Sequence, residues 1–388
     1  MTEERRNYGI DLLRIVSMNM IVMLHVLGNG SFLDNVEGIT IEYATMWFLE
    51  TASLCAVNCF ALISGYVGFG RKFKLSKLMQ LWIEVVFYLL LFRVIYYMID
   101  PMSVKSMPKI TTFFPVLSDT YWYFTAYFVM FLFTPYLNDL IEKLNFEKNS
   151  LLVFLFFTVF SVMLTLSRMK PYDLGVNPPT RSGYSMFGIN SGYSPLWLMI
   201  LYYLGAYIKK YRIAEKIKPK ASVIVYFGCV ILSLVSKLRL TSIYDRTGKY
   251  QPMISFLVEY YSPTILSASV ALLVLFAHFR FHRKTAAGIR FFSSSAFGVY
   301  IIHLQRNNLL LLRDSLSRYV PVNLPRSVLF VILTVLVIWL VCSLIDKFRQ
   351  LLFTVFRIPL LSEKADSLLR KVIKKLFLCY QKKIAVEE

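Results

Sequence analysis

Tyr8-Gly-Ile-Asp-Leu-Leu-Arg-Ile-Val-Ser-Met-Asn-Met-Ile-Val-Met-Leu-His25 reads as a membrane-spanning helix that carries Asp11, Arg14 and His25. An ionisable side chain inside a span costs roughly 2.5 kcal/mol or more on insertion scales, so it marks either a partner or a purpose. At about 100° per residue, the step from Arg14 to His25 ends about 20° past three whole turns, and the two share one helix face. Asp11 joins them one turn before Arg14. A rise of about 1.5 Å per residue sets His25 roughly 16 Å beyond Arg14. One face therefore strings a carboxylate, a fixed cation and a proton-transfer group through the bilayer.

The rest of the chain has the same character. Of 388 residues, 57% are hydrophobic and only 17% are charged, against about 25% charged in soluble domains. The mean hydropathy is +0.56. Runs of about 20 apolar residues recur, each long enough for a hydrocarbon core about 30 Å thick. They predict an all-α, polytopic membrane helix bundle with spans near 8–28, 43–66, 78–100, 121–140, 150–168, 195–209, 220–238, 262–280, 294–312 and 326–347. About ten helices place both termini on one side.

The net charge of +20 could suggest nucleic acid as a partner, but its distribution argues against that. Basic residues gather in alternate loops: Arg5 and Arg6; Arg71, Lys72, Lys74 and Lys77; Lys209 to Lys220; and Arg280 to Arg290. The positive-inside rule makes this side, and both termini, cytoplasmic. The first opposite loop, 29–42, carries Asp34, Glu37 and Glu42 without Lys or Arg. Two longer outer loops, 169–194 and 239–261, are suited to folding over a cavity mouth. Residues 1–347 are expected to form the transmembrane domain. Residues 348–388 form a basic tail, amphipathic from Phe348 to Lys383, that suits an anionic leaflet surface. The first span lacks a small-residue cleavage site and is expected to remain as an anchor.

Several residues have chemical and structural readings side by side. Arg14 keeps its charge at any depth and its fork fits phosphate oxygens, whereas a pairing with Asp11 at i, i+3 merely anchors the helix end. His25 can accept and return a proton near neutral pH, or simply be a satisfied polar contact. His303 and Arg306 are expected on one face of the ninth span, where a contact between helices explains them equally well. Glu84 and Arg93 in the third span are expected to pair with other helices. His278 and His282 have metal-ligand spacing, but Arg280, Arg283 and Lys284 disfavour a cation there. Cys55, Cys59, Cys229, Cys342 and Cys379 show no second ligand pair, so no metal site is expected.

Gly9-Ile-Asp11-Leu-Leu-Arg14 followed by His25 resembles the opening signature of the membrane acyltransferase-3 family. Phe60-Ala-Leu-Ile-Ser64-Gly65-Tyr66 is similar to that family's Ser-Gly-Tyr turn at the end of span two. Tyr121-Trp122-Tyr123 with Pro135 is similar to its Trp-Tyr start of span four, and Ser295-Ala-Phe-Gly298-Val-Tyr300-Ile-Ile-His303 to its late Phe-Gly-x-Tyr-x-x-His element. The motifs occur in family order over about residues 7–345. One departs: where the family commonly has paired arginines after span two, this chain has Arg71-Lys-Phe-Lys74 and Lys74-Leu-Ser-Lys77, and lysine lacks the bidentate fork.

The resemblance implies a multi-pass enzyme of the bacterial plasma membrane. It would O-acetylate a cell-envelope or exopolysaccharide sugar, or its lipid-linked precursor, with acetyl-CoA or another acyl-CoA as donor substrate and no bound cofactor. No Gly-Asp-Ser nucleophile block lies outside the spans, so the membrane portion would perform the transfer itself. His25 is then the expected catalytic residue, with Arg14, Arg71, Lys74 and Lys77 on the donor phosphates. Asp11, Trp122, Tyr123 and His303 support them, the aromatic faces being suited to sugar rings. The alternative function is a polysaccharide or lipid-linked sugar transporter or polymerase of the same pathway. Such a protein would spread intramembrane charge over many helices, whereas here it concentrates on spans one, three and nine.

Overall fold

Asn7 starts the first helix, α1 (Tyr8–Leu24), because its side-chain Oδ1 accepts from the backbone N–H of Gly9 at 2.9 Å. Asp11 in the first turn adds a favourable charge at the positive end of the helix dipole. At His25 the α-geometry gives way to a wider π-helical turn, His25–Asn29. The computed structural model describes residues 6–29, 33, 38–101, 109–117, 121–167, 189–248, 254–316 and 323–387. The expected acidic pair Asp34 and Glu37, and residues 169–188 of the first long loop, lie outside the described residues.

Most of the described residues are helical, and none of them forms a strand. Further helices are α2 (Ile41–Ser53), α3 (Ala56–Gly68), α4 (Leu75–Ile99), α5 (Trp122–Lys143), α6 (Phe146–Phe157), α7 (Pro195–Lys210), α8 (Pro219–Thr247) and α9 (Pro263–Ala277). They continue with α10 (Arg283–Ser293), α11 (Ala296–His303), α12 (Arg306–Leu316), α13 (Leu324–Val355) and α14 (Ile358–Glu387). Among the described residues, eight continuous helical stretches are long and apolar enough to cross a membrane. The fold is an all-α polytopic bundle.

Two expected spans are shorter than a bilayer core. α7 has 16 residues and α9 has 15, about 24 and 22 Å of rise. Both are among the most buried helices, with Trp197, Leu201, Tyr203, Leu273 and Val274 nearly inaccessible. By contrast Ile224 on α8, Phe154 on α6 and Leu329 on α13 lie open, as lipid-facing residues do.

The ninth span differs from expectation. Its helix begins at Arg283, turns at Ser294–Ser295, and stops at His303 rather than running from 294 to 312. Gln305 Oε1 accepts from the backbone N–H groups of Asn307 at 2.7 Å and Asn308 at 3.2 Å, and so starts a separate helix, α12. Side-chain amides here compete with helix continuation. His303 and Arg306 therefore do not share one continuous helix face. Ser64-Gly65-Tyr66, expected as a turn, lies inside α3, which ends at Gly68.

The chain divides into two compact units, Met1–Arg71 with Asp119–Ser343, and Lys72–Ser118 with Leu344–Glu388. In the first, α3 and α7 approach closely because each presents a glycine to the other. A Cβ on Gly65 would overlap the Tyr202 carbonyl oxygen, and one on Gly205 would overlap that of Leu62. Pro135 interrupts α5, and the hydroxyl of Thr134 donates to the Phe131 carbonyl at 2.7 Å, the group the proline leaves without a backbone donor.

Hydrogen bonds fix which helix ends meet in this unit. Asn7 Nδ2 donates to Ala277 O at 2.9 Å, and Asn138 Nδ2 to Gly68 O at 3.4 Å. Lys210 Nζ donates to Leu144 O at 2.9 Å, and His278 Nε2 to Ile217 O at 3.0 Å. The starts of α1, α6 and α8 thus gather with the ends of α3, α5, α7 and α9. The basic loops 209–220 and 280–284 belong to this end, and His25 lies toward the opposite one.

In the second unit, the guanidinium of Arg349 on α13 reaches Glu84 Oε1 at 2.9 Å and Asp346 Oδ1 at 2.7 Å, with all three residues buried. Tyr88 donates to the same Asp346 oxygen at 2.9 Å. Glu84 thus pairs with another helix, as expected. Arg370 on α14 donates to Asp366 at 2.7 Å and to Phe73 O at 2.9 Å.

Candidate functional site

Two groups of expected site residues lie at different depths along α1. At the basic end, Asp11 is 2% exposed and accepts from two guanidinium groups, that of Arg6 at 2.5 Å and that of Arg14. Arg14 is only partly committed by this contact, since one carboxylate is shared between two cations. Its remaining electrostatic neighbours are Arg71, which follows α3, and the phenol of Tyr127 on α5. Arg14 and Arg71, far apart in sequence, are thereby brought to one locus. Lys74 and Lys77 belong to the other unit, where Lys74 Nζ is 3.9 Å from Glu363 and Lys77 N donates to Lys74 O.

About 16 Å further along α1, His25 Nδ1 is 2.9 Å from Nε2 of His303. The two rings are tilted at 45° with centroids 5.1 Å apart. His303 Nδ1 lies 2.6 Å from the carbonyl oxygen of Val299. A carbonyl only accepts, so His303 carries its proton on Nδ1, and neutral His303 has an acceptor at Nε2. His25 must then donate from Nδ1. Its own lone pair is left on Nε2, which makes Nε2 the basic atom.

His25 lines a cavity of about 340 Å³ together with Glu50, Trp122, Tyr193, Glu259 and Tyr260. The cavity reaches down to Glu50 and Leu54, midway along the Ile41–Gly68 span. Its aromatic wall is built by segments whose sequence motifs had no evident spatial relation. Tyr121 OH donates to Ile301 O at 3.2 Å, and Tyr123 N donates to the Tyr300 hydroxyl at 3.3 Å. These bonds dock the start of α5 on α11, so that Tyr121-Trp122-Tyr123 and the helix bearing His303 form one structure. Trp122 faces Tyr193 with ring centroids 4.4 Å apart, and stacks at 21° on Tyr260 at 6.4 Å.

Asn58, fully buried, holds the wall from behind. Its Nδ2 donates to Tyr260 O at 2.7 Å while its Oδ1 accepts from Trp197 Nε1 at 3.0 Å. Gly192, at φ +93°, permits Tyr193 to lie against Tyr260, since a Cβ there would come within 2.7 Å of Tyr260 Cβ. Burial pushes the phenols of Tyr193 and Tyr260 up from their ordinary range, so both remain protonated donors.

A sequence model of the acyltransferase domain family matches residues 7–345. The chain belongs to the acyltransferase-3 family. No curated protein and no solved structure matches it. As a member of that family with several bilayer-length helices, the protein is a multi-pass membrane acyltransferase. Membership favours the acyl-transfer expectation over the transporter alternative. Residues 7–345 include every acyltransferase-3 motif quoted above, from Asp11 to His303.

Sequence reasoning singled out His25, His303, Trp122 and Tyr123 separately; the fold unites them. It missed Glu50, Glu259, Tyr193, Tyr260 and Asn58. Glu50 carried a usable signal, being an acidic residue inside an apolar stretch, Phe48-Leu-Glu-Thr-Ala52. Tyr193 and Glu259–Tyr260 lie in the two outer loops that were expected over a cavity mouth, but nothing in those loops marked these particular residues. Among the described residues, no cluster of three or more metal-ligating side chains occurs.

Proposed function

We propose that the protein O-acetylates a hydroxyl of a cell-envelope or exopolysaccharide sugar, or of its lipid-linked precursor, in the bacterial plasma membrane, with acetyl-CoA as donor. The observation that carries this reading is the 2.9 Å contact of His25 Nδ1 with His303 Nε2 beside a cavity, which, with both rings neutral, leaves Nε2 of His25 as the basic atom. Arg14 and Arg71 are suited to the phosphates of the donor, which enters from the basic, cytoplasmic end. The pantetheine arm then spans the roughly 16 Å to His25.

In the transfer, His25 Nε2 takes the proton of the acceptor hydroxyl as its oxygen attacks the thioester carbonyl. The tetrahedral intermediate collapses with cleavage of the C–S bond, and Nε2 returns the proton to the departing thiolate. His303 accepts the Nδ1 hydrogen bond throughout, which keeps the proton-accepting nitrogen on the reacting side.

The test uses purified protein in lipid nanodiscs with radiolabelled acetyl-CoA and de-O-acetylated polysaccharide from cells that carry the protein. Alkali-labile label should appear in the polysaccharide. His25→Ala should lower its formation by about 100-fold or more. Wild-type protein that consumes no thioester with any such acceptor overturns the reading.

A further inference from the structure

An apolar groove of about 480 Å³ lies between α6 and α8, with α7 and α9 as its floor. Ile200, Leu266 and Val274 on the floor are buried, whereas Phe154 of α6 and Val225 of α8 stand exposed at its sides. Small residues leave the space: Ala221 and Ser222 on α8, Ser267 and Ala271 on α9. The walls are almost wholly apolar, and the Ser150 hydroxyl among them is already bonded to Phe146 O at 2.7 Å and Tyr207 OH at 2.9 Å. A water needs about two to four polar partners to settle, so hydrocarbon fills such a space better. From Val274 to Leu266 the groove follows α9 for about 12 Å. That is close to the depth of one leaflet, half of a core about 30 Å thick.

The groove begins at the basic end of the first unit, which the positive-inside rule makes cytoplasmic. Ser150 lies about one turn into α6, and Ile217, just before α8, is tied to the end of α9 by His278. Over residues 142–150 and 209–220 together, eight lysines and arginines outnumber three glutamates. Several of these cations have contacts within the protein. Lys210 donates to the carbonyls of Ile141 and Leu144, Arg212 pairs with Glu215 at 3.2 Å, and Lys216 lies over the Phe146 ring. Lys148, Lys218 and Lys220 are exposed, and each is within two residues of a side chain that lines the groove. An apolar channel one leaflet deep under a cationic mouth matches an amphiphile with a hydrocarbon chain and an anionic headgroup.

We propose that this groove holds one acyl chain of an anionic diacyl phospholipid of the cytoplasmic leaflet, with its phosphate seated among Lys148, Lys218 and Lys220. The site stands apart from the acyl-transfer reading, because none of its lining residues lines the His25 cavity. A lipid-linked sugar fits the groove less well, since its headgroup would sit at the basic end while His25 lies toward the opposite one.

Native mass spectrometry of the intact protein, stripped of lipid in detergent, tests this with three probes: phosphatidylglycerol, phosphatidylcholine of identical chains, and a polyprenyl phosphate. One phosphatidylglycerol should bind at least tenfold tighter than phosphatidylcholine, because each lysine near the headgroup adds to the attraction. Lys148→Gln with Lys218→Gln and Lys220→Gln should shrink that gap to within about threefold and leave phosphatidylcholine binding unchanged. Ser267→Phe, which fills the groove from a half-buried position, should weaken both phospholipids by tenfold or more. Val225→Trp, at an exposed side that spares the core, should weaken both by at least threefold. Equal binding of the two phospholipids, tighter binding of the polyprenyl phosphate than of phosphatidylglycerol, or binding unchanged in folded Ser267→Phe and Val225→Trp overturns the proposal. So does a dimer that Ser267→Phe abolishes, since a second copy of the chain would then be the occupant.

Discussion

His303 presents only one acceptor nitrogen, because Val299 O already takes its Nδ1 proton, and His25 occupies that acceptor. The pair is therefore directional: reversing either proton would set two donors or two lone pairs against each other. His303→Leu should leave His25 free to change tautomer and tilt. We expect the turnover number to fall about 10- to 100-fold with acetyl-CoA affinity unchanged, since small misplacement of a reacting group has costs of that order. His303→Gln, whose side-chain carbonyl can accept, should recover part of the loss. Equal turnover in His303→Leu and wild type would show that His303 only fills space. The helical period alone put Asp11, Arg14 and His25 on one face. It could not supply His303 as the partner, because a contact spanning 278 positions leaves no local trace.

At the level of helices, the close crossing of α3 and α7 depends on Gly65 and Gly205 facing opposing carbonyl oxygens. Gly65→Val must push the pair apart. Overpacking of this kind costs about 1–3 kcal/mol, and should appear as a lowered melting temperature in detergent, with Gly28→Ala as a control because open space surrounds that position. An unchanged melting temperature for Gly65→Val would mean that the crossing is looser than described. Apolar run length located the helices well, because burial in lipid or protein demands it of every span. It failed where polar side chains decide the path, as at Gln305, whose amide ends one helix and starts another. It also stopped short at 239–247, taken as outer loop, where α8 continues to Thr247 before a left-handed Gly248 closes it.

Over the whole molecule, composition alone made a membrane bundle legible, since too few charges remain to solvate a soluble surface of this size. A cavity mouth under the two long outer loops was legible, but not which residues line it. Its walls come from positions 25, 50, 122, 193 and 260, which only the complete fold of the first unit assembles. The second unit is organised by the buried Arg349–Glu84–Asp346 cluster. Removing the cation alone by Arg349→Met should destabilise that unit by about 3–5 kcal/mol, because it strands two buried acids. Combining it with Glu84→Gln and Asp346→Asn should restore most of the loss, measured by thermal unfolding in nanodiscs. A triple variant no more stable than Arg349→Met would show that the cluster is not the cause.

The short, buried α7 and α9 have one more consequence. Helices that touch lipid must match the thickness of the bilayer, and stretch, tilt or thin it when they do not. α7 and α9, at about 24 and 22 Å, are relieved of that demand by the protein around them. Hydrophobic mismatch is therefore borne by lipid-facing helices such as α6 and α8, and the helices that Asn58 and Gly65 grip are insulated from it. The His25 end of α1 is thus mounted on an interior whose length the surrounding lipid does not set.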